Sequence, residues 1–578
     1  MEALTKSERI APITKKENIT GAEAVVLSLL AEGVDTIFGY PGGAIMPVYD
    51  ALYDYRDQIN HILVRHEQGA IHAAQGYARV RPDKVGVALA TSGPGATNLV
   101  TGIADAMIDS TPVVCITGQV ARHLLGTDAF QEVDVIGITM PITKWNYQIT
   151  SAEEIPEAIA KAFYIARTGR PGPVLIDITK NAQFARLNFN YRKCTSVRSY
   201  TPKLKTDLAA VEQAAKLINQ AKQPLMLVGH GVLLGNAQKE LLQVLEKSGI
   251  PAASTLLGLG AVPTDHPNYV GYLGMHGNYA PNVLTNQCDV LIAVGMRFDD
   301  RVTGDLNTYA KQAKVIHFEI DPAEINKNVK ADIPVLGDCK ESLAYLLPLL
   351  QKKTYPEWYA KFKEYDQVEY QKVIAKDFAP ITDKIKMAEV IKMLSEKTDG
   401  RAVIVTDVGQ HQMVTSRYYR FKEQNTNITS GGAGTMGFCL PAAMGAKISA
   451  PEKQVIAIIG DGGFQMTLQE LGTIMQYNIA VKVIVLNNDF LGMVRQWQQL
   501  FFDNRYSFTE MVNPDFVKIV EGFFIQAERV REREELSSAL DRLLASEKPY
   551  FLEVVVEKEE NVFPMVPAGA SVADIRLE

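Results

Sequence analysis

The chain carries Gly460-Asp461-Gly462-Gly463 directly after the apolar run 455–459, and Asn487-Asn488 directly after a second such run, 481–486. Short runs rich in valine and isoleucine are typical of buried strands in a parallel sheet. Because the carboxyl ends of neighbouring parallel strands meet in one crevice, we expect Asp461 and Asn488 side by side. A carboxylate and an amide oxygen, beside glycines that allow close backbone approach, suit a Mg²⁺ ion carrying a substrate diphosphate.

The composition is that of a globular protein with several domains. The 578 residues are 47% hydrophobic and 22% charged, which leaves room for three to four domains of ~150 residues each. The net charge of −7 predicts no nucleic-acid partner. No apolar run reaches the ~18–20 residues that a membrane span needs, and residues 1–18 lack the pattern of a signal or transit peptide. Five scattered cysteines without C-x-x-C spacing favour a reducing compartment, so we expect a cytoplasmic protein.

Short runs of valine, isoleucine and leucine alternate with helical patterns in three successive parts of the chain. This alternation predicts an α/β fold with three doubly wound parallel-sheet domains. The expected strands are residues 36–39, 61–64, 85–90, 112–117 and 173–178, then 223–228, 290–294, 314–320 and 333–336, then 402–406, 454–459, 481–486 and 551–556. Two connectors, 186–207 and 351–383, interrupt the pattern. The expected domains are therefore 18–186, 208–350 and 384–560, followed by a tail, 561–578.

Several loops after expected strands carry glycine or an acid. In the first domain these are Pro41-Gly42-Gly43-Ala44, Glu67 and the glycine-rich run 91–98. Converging at one edge of a sheet, they look like half of a cofactor site. In the third domain, 407–412 follows a strand and 431–437 precedes a helix, where backbone amides can hold a diphosphate.

A rival interpretation comes from Gly432-x-Gly434-x-x-Gly437, which is formally a dinucleotide-binding fingerprint. Asp461 would then be the acid that binds the ribose. An NAD- or flavin-binding oxidoreductase, or a non-catalytic nucleotide-binding regulator, is therefore an alternative. That alternative accounts neither for Asn487-Asn488 nor for the second glycine after Asp461. Together, these features resemble the diphosphate-anchoring motif of thiamine diphosphate enzymes.

Six further strings make the resemblance specific: FGYPGGA at 38–44, RHEQ at 65–68, GTDAFQE at 126–132, GMRFDDRVTG at 295–304, LGMVRQWQ at 491–498 and FPMVPAG at 563–569. In this order, over residues 19–575, they resemble the catalytic subunit of acetohydroxyacid synthase (acetolactate synthase). The string from Arg297 to Arg301 favours the FAD-bearing biosynthetic branch of that family. The chain departs from the usual family pattern at Ala121, at His230 and at 179–181, on the pocket rim and the flavin site.

The resemblance implies an activity, cofactors and partners. The activity is decarboxylation of pyruvate and condensation with a second 2-ketoacid, pyruvate or 2-ketobutyrate, as the first common step of branched-chain amino acid biosynthesis. The products are 2-acetolactate or 2-aceto-2-hydroxybutyrate. The implied cofactors are thiamine diphosphate, Mg²⁺ and FAD. The implied assembly is a homodimer or dimer of dimers with shared active sites, with room for a small regulatory subunit. Pyruvate oxidase, whose flavin is redox-active, is the nearer alternative.

The resemblance also implies residue roles. Glu67 would activate the cofactor, and Gly43, Phe130, Gln131 and Lys180 would border the active site from the partner subunit. The Mg²⁺ ligands would be Asp461, Asn488 and the backbone carbonyl of Phe490. Thiamine diphosphate would be bound by Val408, Gly409, Gln410, His411, Gly434, Met436, Asp461, Gly462, Gly463, Asn488, Met493 and Val494. FAD would be bound by Arg170, Gly229, Gly231, Thr255, Leu256, His276, Arg297, Arg301, Glu319 and Asp338. Met275 and Trp497 would form the substrate pocket, and the tail would lie over the active site.

Overall fold

The structure is a computed structural model that describes residues 12–380 and 383–578. These residues form two compact units. The first comprises the described part of Met1–Pro202 with Gly432–Pro451 and Thr467–Ile479, and the second comprises Lys203–Gly431, Glu452–Met466 and Ala480–Glu578. Most of the opening segment 1–18, and residues 381–382 of the second connector, lie outside the described residues.

The first unit is built around a six-stranded parallel sheet. In chain order its elements are β1 (Lys15–Thr20), α1 (Gly21–Ala31), β2 (Thr36–Gly39), α2 (Met46–Asp54), β3 (Asn60–Leu63), α3 (Glu67–Val80), β4 (Gly86–Ala90), α4 (Pro94–Thr97), α5 (Val100–Ile108), β5 (Val113–Gln119), α6 (Val135–Thr139), β6 (Trp145–Ile149), α7 (Ile155–Arg167), β7 (Val174–Thr179), α8 (Lys180–Phe184) and β8 (Arg186–Asn190). The strand order is β3-β2-β4-β5-β7-β6. Val87 and Leu89 of β4 pack in one core with α1 and α7, whereas Gly86 faces α3. Helices therefore cover both faces, as predicted.

One part of the first connector is a strand, contrary to expectation. Residues 186–190 form β8, which pairs antiparallel with β1 in a separate two-stranded sheet. Leu187 and Phe189 are buried, while Arg186, Asn188 and Asn190 are exposed. This alternation of period two is the normal pattern of a half-buried strand, and the polar residues between the apolar ones obscured it.

The second unit contains the other two parallel sheets. The central sheet and its helices are α9 (Leu208–Gln220), β9 (Pro224–Val228), α10 (His230–Leu234), α11 (Gln238–Ser248), β10 (Ala252–Ser254), β11 (Tyr269–Tyr272), α12 (Tyr279–Thr285), β12 (Val290–Val294), α13 (Asp300–Thr303), β13 (Lys314–Glu319), β14 (Ile333–Leu336) and α14 (Cys339–Leu349). The strand order is β11-β10-β9-β12-β13-β14. All pairings in this sheet are parallel.

The second connector is helical. It contains α15 (Pro356–Glu369), a π-helical turn (Tyr370–Ile374) and α16 (Ala375–Asp377). Trp358 and Phe362, four residues apart on one helix face, are buried in the core of the central sheet. The aromatic residues that appeared to mark a linker therefore attach this segment to the central sheet.

The third sheet is formed by α17 (Met387–Lys397), β15 (Val403–Thr406), α18 (Gln410–Tyr418), β16 (Asn427–Thr429), α19 (Cys439–Ser449), β17 (Val455–Gly460), α20 (Asp461–Thr467), α21 (Leu471–Tyr477), β18 (Lys482–Asn487), α22 (Gly492–Phe501), α23 (Phe516–Gly522), β19 (Gln526–Val530), α24 (Arg533–Ala545) and β20 (Tyr550–Val555). The strand order is β16-β15-β17-β18-β20-β19. Helices α19 and α21 belong to the first unit. Among the described residues, no helix is both long and apolar enough to cross a membrane.

Helices α3 and α19 approach unusually closely inside the first unit. A Cβ on Gly76 would stand 1.9 Å from the carbonyl oxygen of Ala442, and a Cβ on Gly445 would stand 1.9 Å from that of Ala73. Only glycine at both crossing points lets the backbones touch. This contact fixes the helix whose first residue is Glu67.

Candidate active site

The two polar turns quoted first do lie on neighbouring strands. β17 pairs in parallel with β18, and Gly460 is opposite Leu486. Asp461 and Asn488 follow at the carboxyl ends and are buried, with 1% and 5% of their surface exposed. The predicted crevice therefore exists, with a carboxylate and an amide at its edge.

A third residue, Asn513, joins these turns and was missed from the sequence. Its Nδ2 donates to Asp461 Oδ2 at 2.7 Å, and to Asn487 Oδ1 and Asp489 Oδ1 at 3.0 Å each. Its Oδ1 accepts from Gln465 Nε2 at 2.9 Å. Asn513 lies in a loop far along the chain from both motifs, so no local pattern marks it.

Side-chain amides also surround Asn488. Its Nδ2 faces Gln410 Oε1 at 3.5 Å, and Gln410 Nε2 donates to Gln496 Oε1 at 3.0 Å. A Cβ on Gly492 would lie 2.2 Å from Gln410 Oε1 and 2.8 Å from Asn488 Nδ2. Gly492 therefore makes room for this amide chain, which turns the nitrogen of Asn488 toward Gln410.

His411 supplies an unpartnered polar atom beside the same strand ends. Its Nε2 is buried and has no hydrogen-bond partner among the described residues. Burial lowers the pKa of His411 to about 4, so the imidazole is neutral at pH 7. A Cβ on Gly460 would lie 2.9 Å from His411 Nδ1. The glycine at the end of β17 lets the ring lie against the backbone, with Nε2 left for a bound group.

The donor set fits Mg²⁺ only in company with a ligand that supplies oxygens. Within residues 12–380 and 383–578, no cluster of three His, Cys, Asp or Glu side chains is arranged to hold a metal. Asp461 and Asn488 offer one carboxylate and one amide oxygen, and Mg²⁺ commonly takes its remaining ligands from phosphates and water. Burial raises the pKa of Asp461 to about 6, and a divalent cation would oppose that shift by favouring the carboxylate.

Glu67 begins α3 in the first unit and is nearly buried. Asn98 Nδ2 donates to its Oε2 at 3.0 Å. The other oxygen, Oε1, lies 3.4 Å from where a Cβ on Gly95 would stand. This contact brings together two of the predicted loops, 65–68 and 91–98. Oε1 of Glu67 makes no hydrogen bond with Asn98.

A buried acid, Glu470, supports the turn before Glu67. Its carboxylate accepts the backbone N–H of Arg65 at 3.0 Å and the hydroxyl of Thr473 at 2.7 Å. A Cβ on Gly69 would lie 2.3 Å from its Oε1. Burial raises the pKa of Glu470, and the surrounding hydrogen-bond donors oppose that shift. No local pattern in the sequence marks Glu470 as part of this site.

The glycine-rich loop 431–437 divides between the two units. Gly432 donates its backbone N–H to Asp109 Oδ1 at 2.8 Å, and Thr435 Oγ1 donates to Asp105 Oδ1 at 3.0 Å. Gly434 has φ +67°, a left-handed conformation that favours glycine. The described loop from Gly432 onward, with Gly434 and Met436, therefore lies in the unit that carries Glu67, because it is bound to α5.

The four residues expected at the subunit border are open to solvent to different degrees. Phe130 is 88% exposed, and nothing lies within 4 Å of a Cβ built on Gly43. Gln131 has φ +60° and, with Lys180, is half-buried. Burying Phe130 against a partner would remove a large apolar side chain from water.

The tail contacts the helix that carries Trp497. The backbone of Val562 makes two hydrogen bonds with the side chain of Gln496. The Val562 N–H donates to Gln496 Oε1 at 2.8 Å, and the Val562 carbonyl accepts from Gln496 Nε2 at 3.0 Å. The fully buried Arg495 donates to Asn561 Oδ1 at 2.6 Å. Trp497 itself is half-buried against Phe501, with ring centroids 5.3 Å apart. It is therefore not a core tryptophan.

Two further residues of this helix, Met493 and Val494, are partly exposed. Val494 is 49% exposed, and Met493 is half-buried. Phe490 precedes the helix and is buried, with its backbone N–H donating to Asn488 Oδ1 at 3.3 Å. Trp497 and Val494 thus lie on the helix that follows the candidate metal turn directly.

Three protein-family models match the chain in the order of its three sheets. They are the N-terminal thiamine pyrophosphate (TPP) binding domain at residues 19–138, the central domain of these enzymes at 211–346, and the C-terminal TPP binding domain at 407–554.

Comparison with individual proteins shows which thiamine pyrophosphate enzymes the chain is similar to. The chain is 47% identical to the acetolactate synthase isozyme 2 large subunit of Escherichia coli, over 96% of this chain and 98% of the relative. It is 46% identical to the probable acetolactate synthase large subunit of Methanocaldococcus jannaschii, over 96% and 95%, and 44% identical to the acetolactate synthase large subunit of Lactococcus lactis, over 96% of each. The chain belongs to the acetolactate synthase large-subunit family. The dinucleotide-binding oxidoreductase and regulator alternatives are therefore wrong.

In this acetolactate synthase family member, the glycines expected to approach FAD are already explained by a backbone contact. A Cβ on Gly229 would lie 2.4 Å from Gly295 O, and one on Gly231 would lie 2.7 Å from Gly295 Cα. The Gly231 N–H donates to Gly295 O at 2.8 Å. Two strand-end turns are thus pressed together, so Gly229 and Gly231 are needed with or without a ligand.

The other residues expected to bind FAD in the acetolactate synthase fold have mixed surroundings. The side chain of Arg301 is 59% exposed, whereas that of Arg297 is 29% exposed. Arg297 Nε lies 3.7 Å from Asp299 Oδ2. His276 is buried, and its Nδ1 has no hydrogen-bond partner among the residues described. Burial lowers the pKa of His276 to about 4. The exposed guanidinium of Arg301 and the unpartnered Nδ1 of His276 fit an anionic ligand that also forms hydrogen bonds.

Several expected FAD contacts already have backbone or polar roles. Asp338 caps α14 by accepting the N–H of Glu341 at 3.1 Å, and Glu319 accepts the N–H groups of residues 320 and 321. The remaining expected FAD residues make these contacts: the Thr255 N–H with Val228 O at 2.9 Å, Leu256 O with Asn427 Nδ2 at 2.8 Å, and, in the first unit, Arg170 Nε with Ser110 Oγ at 2.9 Å. Met275, expected in the substrate pocket, accepts the N–H of Val566 in the tail at 2.8 Å through its backbone carbonyl.

Proposed function

We propose that this chain is the catalytic subunit of a biosynthetic acetolactate synthase that joins pyruvate to a second 2-ketoacid, with loss of carbon dioxide. The second ketoacid is pyruvate or 2-ketobutyrate. The observation that carries the proposal is the crevice at the ends of β17 and β18. There a buried carboxylate, an oriented amide and an unpartnered imidazole nitrogen meet beside closely packed glycines. A diphosphate with its Mg²⁺ ion would satisfy all three.

Each residue has a proposed task. When bound, thiamine diphosphate would supply the carbon that bonds to the carbonyl of pyruvate and the ring that accepts the electron pair as carbon dioxide leaves. Asp461, Asn488 and the carbonyl of Phe490 would bind Mg²⁺, while His411 and the backbone amides of 409–410 would bind the diphosphate. Val408 would contact the cofactor beside them, since its own N–H donates to Asp407 Oδ1. Glu67 would exchange a proton with the pyrimidine ring, because it is nearly buried and has one oxygen free of the Asn98 bond.

The pocket for the second ketoacid would be formed by Trp497, Val494 and Met275, under the tail. An apolar wall suits the methyl or ethyl group of these ketoacids, and it keeps water from the reacting carbon. The two hydrogen bonds between Val562 and Gln496 support a covering role for the tail, since they tie residue 562 to the helix of Trp497.

FAD would occupy the central sheet, near Arg297, Arg301 and His276, as a structural group without a redox role. We also propose a homodimer or dimer of dimers in which Phe130, Gly43, Gln131 and Lys180 serve the partner's active site. The exposure of Phe130 supports that assembly. A small regulatory subunit is a further proposed partner, and the five free cysteines support a cytoplasmic location.

The decisive experiment identifies the products made from pyruvate. Purified protein with thiamine diphosphate, Mg²⁺ and FAD should form 2-acetolactate, and it should form 2-aceto-2-hydroxybutyrate when 2-ketobutyrate is added. Flavin absorbance should stay constant during anaerobic turnover, and oxygen should not be consumed in step with pyruvate. Acetaldehyde or acetyl phosphate as the main product, or stoichiometric flavin reduction, would overturn the proposal.

A further inference from the structure

The metal crevice depends on a residue outside both motifs. Asn513 Nδ2 lies within hydrogen-bond distance of three side-chain oxygens, those of Asp461 at 2.7 Å and of Asn487 and Asp489 at 3.0 Å each. An amide nitrogen has two hydrogens, so it cannot satisfy three acceptors unless they share. The three oxygens are thus held together around one group.

The orientation of this amide is determined on both sides. Gln465 Nε2 donates to Asn513 Oδ1 at 2.9 Å, and Asn487 Nδ2 donates to the buried Glu553 carboxylate at 2.8 Å. Because Glu553 accepts from Asn487, the oxygen of Asn487 must face Asn513. A flipped Asn513 would place its own oxygen against three oxygens and would lose the bond from Gln465.

The contact pattern complements the proposed metal ligands. Asn513 donates to Oδ2 of Asp461 and makes no hydrogen bond with Oδ1, so it holds the carboxylate through one of its two oxygens. Asn513 also donates to the side chains of residues 487 and 489, the two neighbours of Asn488. We propose that Asn513 is the positioning residue of the Mg²⁺ site: it fixes Asp461 and the turn of Asn488 relative to each other before the metal binds. This inference rests on the proposed function.

The loss of Mg²⁺ affinity expected on removing Asn513 is that of a group that orients metal ligands. Groups that orient metal ligands typically contribute about 10- to 100-fold to metal affinity. Asn513→Ala should therefore raise the Mg²⁺ concentration needed for half-maximal thiamine diphosphate binding by about 10-fold or more. The ligands themselves remain, so excess Mg²⁺ should restore binding, and turnover at saturating Mg²⁺ should approach the wild-type value. Asp461→Ala removes a ligand and should not be restored.

The experiment is a titration of thiamine diphosphate binding against Mg²⁺, read by intrinsic fluorescence or calorimetry on the full-length protein. The matched control is Asn219→Ala. Asn219 is another two-ended amide, which donates to Leu349 O and accepts from the Gln351 N–H. That variant should change thermal stability without changing the Mg²⁺ requirement.

A second variant leaves Asn513 in place. Gln465→Met removes the donor to Asn513 Oδ1 without adding a charge beside the proposed Mg²⁺ ligands, so the amide is held on one side only and the Mg²⁺ requirement should also rise. If Asn513→Ala fails to fold, this variant decides the question. A wild-type Mg²⁺ requirement in the folded variants would overturn the role of Asn513. Absence of Mg²⁺-dependent thiamine diphosphate binding in the wild-type protein would instead overturn the proposed function.

Discussion

Substituting Gly492 by alanine tests whether the amide chain around Asn488 serves a ligand. The added Cβ would lie 2.2 Å from Gln410 Oε1 and 2.8 Å from Asn488 Nδ2. Real contacts of this kind are longer than 3.0 Å, so both side-chain ends must move. They are the ends of flexible side chains, and in the ligand-free protein they can move away at little cost.

The expected magnitudes differ for folding and for binding. Inserting one methyl group into a packed site costs about 1–3 kcal/mol when the neighbours cannot move, while alanine is favoured over glycine in a helix by up to about 1 kcal/mol. The free energy of unfolding should therefore change little. Binding must bring Asn488 back against the methyl group, so affinity should fall by about 1–3 kcal/mol, or roughly 5- to 150-fold.

The assay compares Mg²⁺-dependent binding of thiamine diphosphate by the wild-type protein, Gly492→Ala and a control, Gly522→Ala. Gly522 ends α23, and nothing lies within 4 Å of a Cβ built on it. The control should bind like the wild type. If Gly492→Ala also binds within about two-fold of the wild type while its thermal stability is unchanged, the chain of amides does not orient a ligand, and the reasoning is refuted.

Three further predictions concern other parts of the protein. Glu67→Gln should fold normally, because Gln can still accept from Asn98, yet turnover should fall by at least ~10²-fold through loss of the proton transfer. Trp497→Leu should shift the product ratio in a mixture of pyruvate and 2-ketobutyrate, since an apolar wall discriminates one methylene by ~1–3 kcal/mol. Burial, aided by the charge of Asp377, raises the pKa of Glu560 to about 7. The folded protein therefore binds the extra proton between the unfolded pKa of ~4.3 and about 7, and the free energy of unfolding should fall as pH rises through that window. Glu560→Gln should flatten this dependence.

Each of these has its own measurement. Steady-state turnover at saturating cofactor decides the first, and near-wild-type activity of Glu67→Gln would contradict the assignment. Competition between the two ketoacids with both products quantified decides the second; an unchanged ratio would exclude Trp497 from the pocket. Urea unfolding at about pH 5 and about pH 8 decides the third. If the free energy of unfolding changes with pH equally in the variant and the wild type, Glu560 does not titrate in this range.

Local patterns were sufficient for the buried strands and for one part of the site. The central strands of each sheet are continuous apolar runs, so their positions were predicted to within one or two residues, and β2, β12 and β14 match their predicted bounds. Strands β6, β11, β16 and β19 were missed because each lies at a sheet edge, where one side is not covered and the apolar run is broken. β10 was missed because it has only three residues.

The sequence by itself determined that Asp461 and Asn488 meet, because parallel strands in one sheet bring their carboxyl ends to one edge. Only the tertiary structure decided what surrounds them. Asn513 reaches Asp461 from a loop 52 residues further along the chain, and Gln496 holds the amide of Gln410 beside Asn488. Within the first unit, Glu470 holds the turn before Glu67, and the close crossing of α3 on α19 keeps the loop with Met436 in the unit of Glu67. Periodicity reports which face of an element is buried, whereas these contacts depend on loop paths and on which glycines allow backbones to touch.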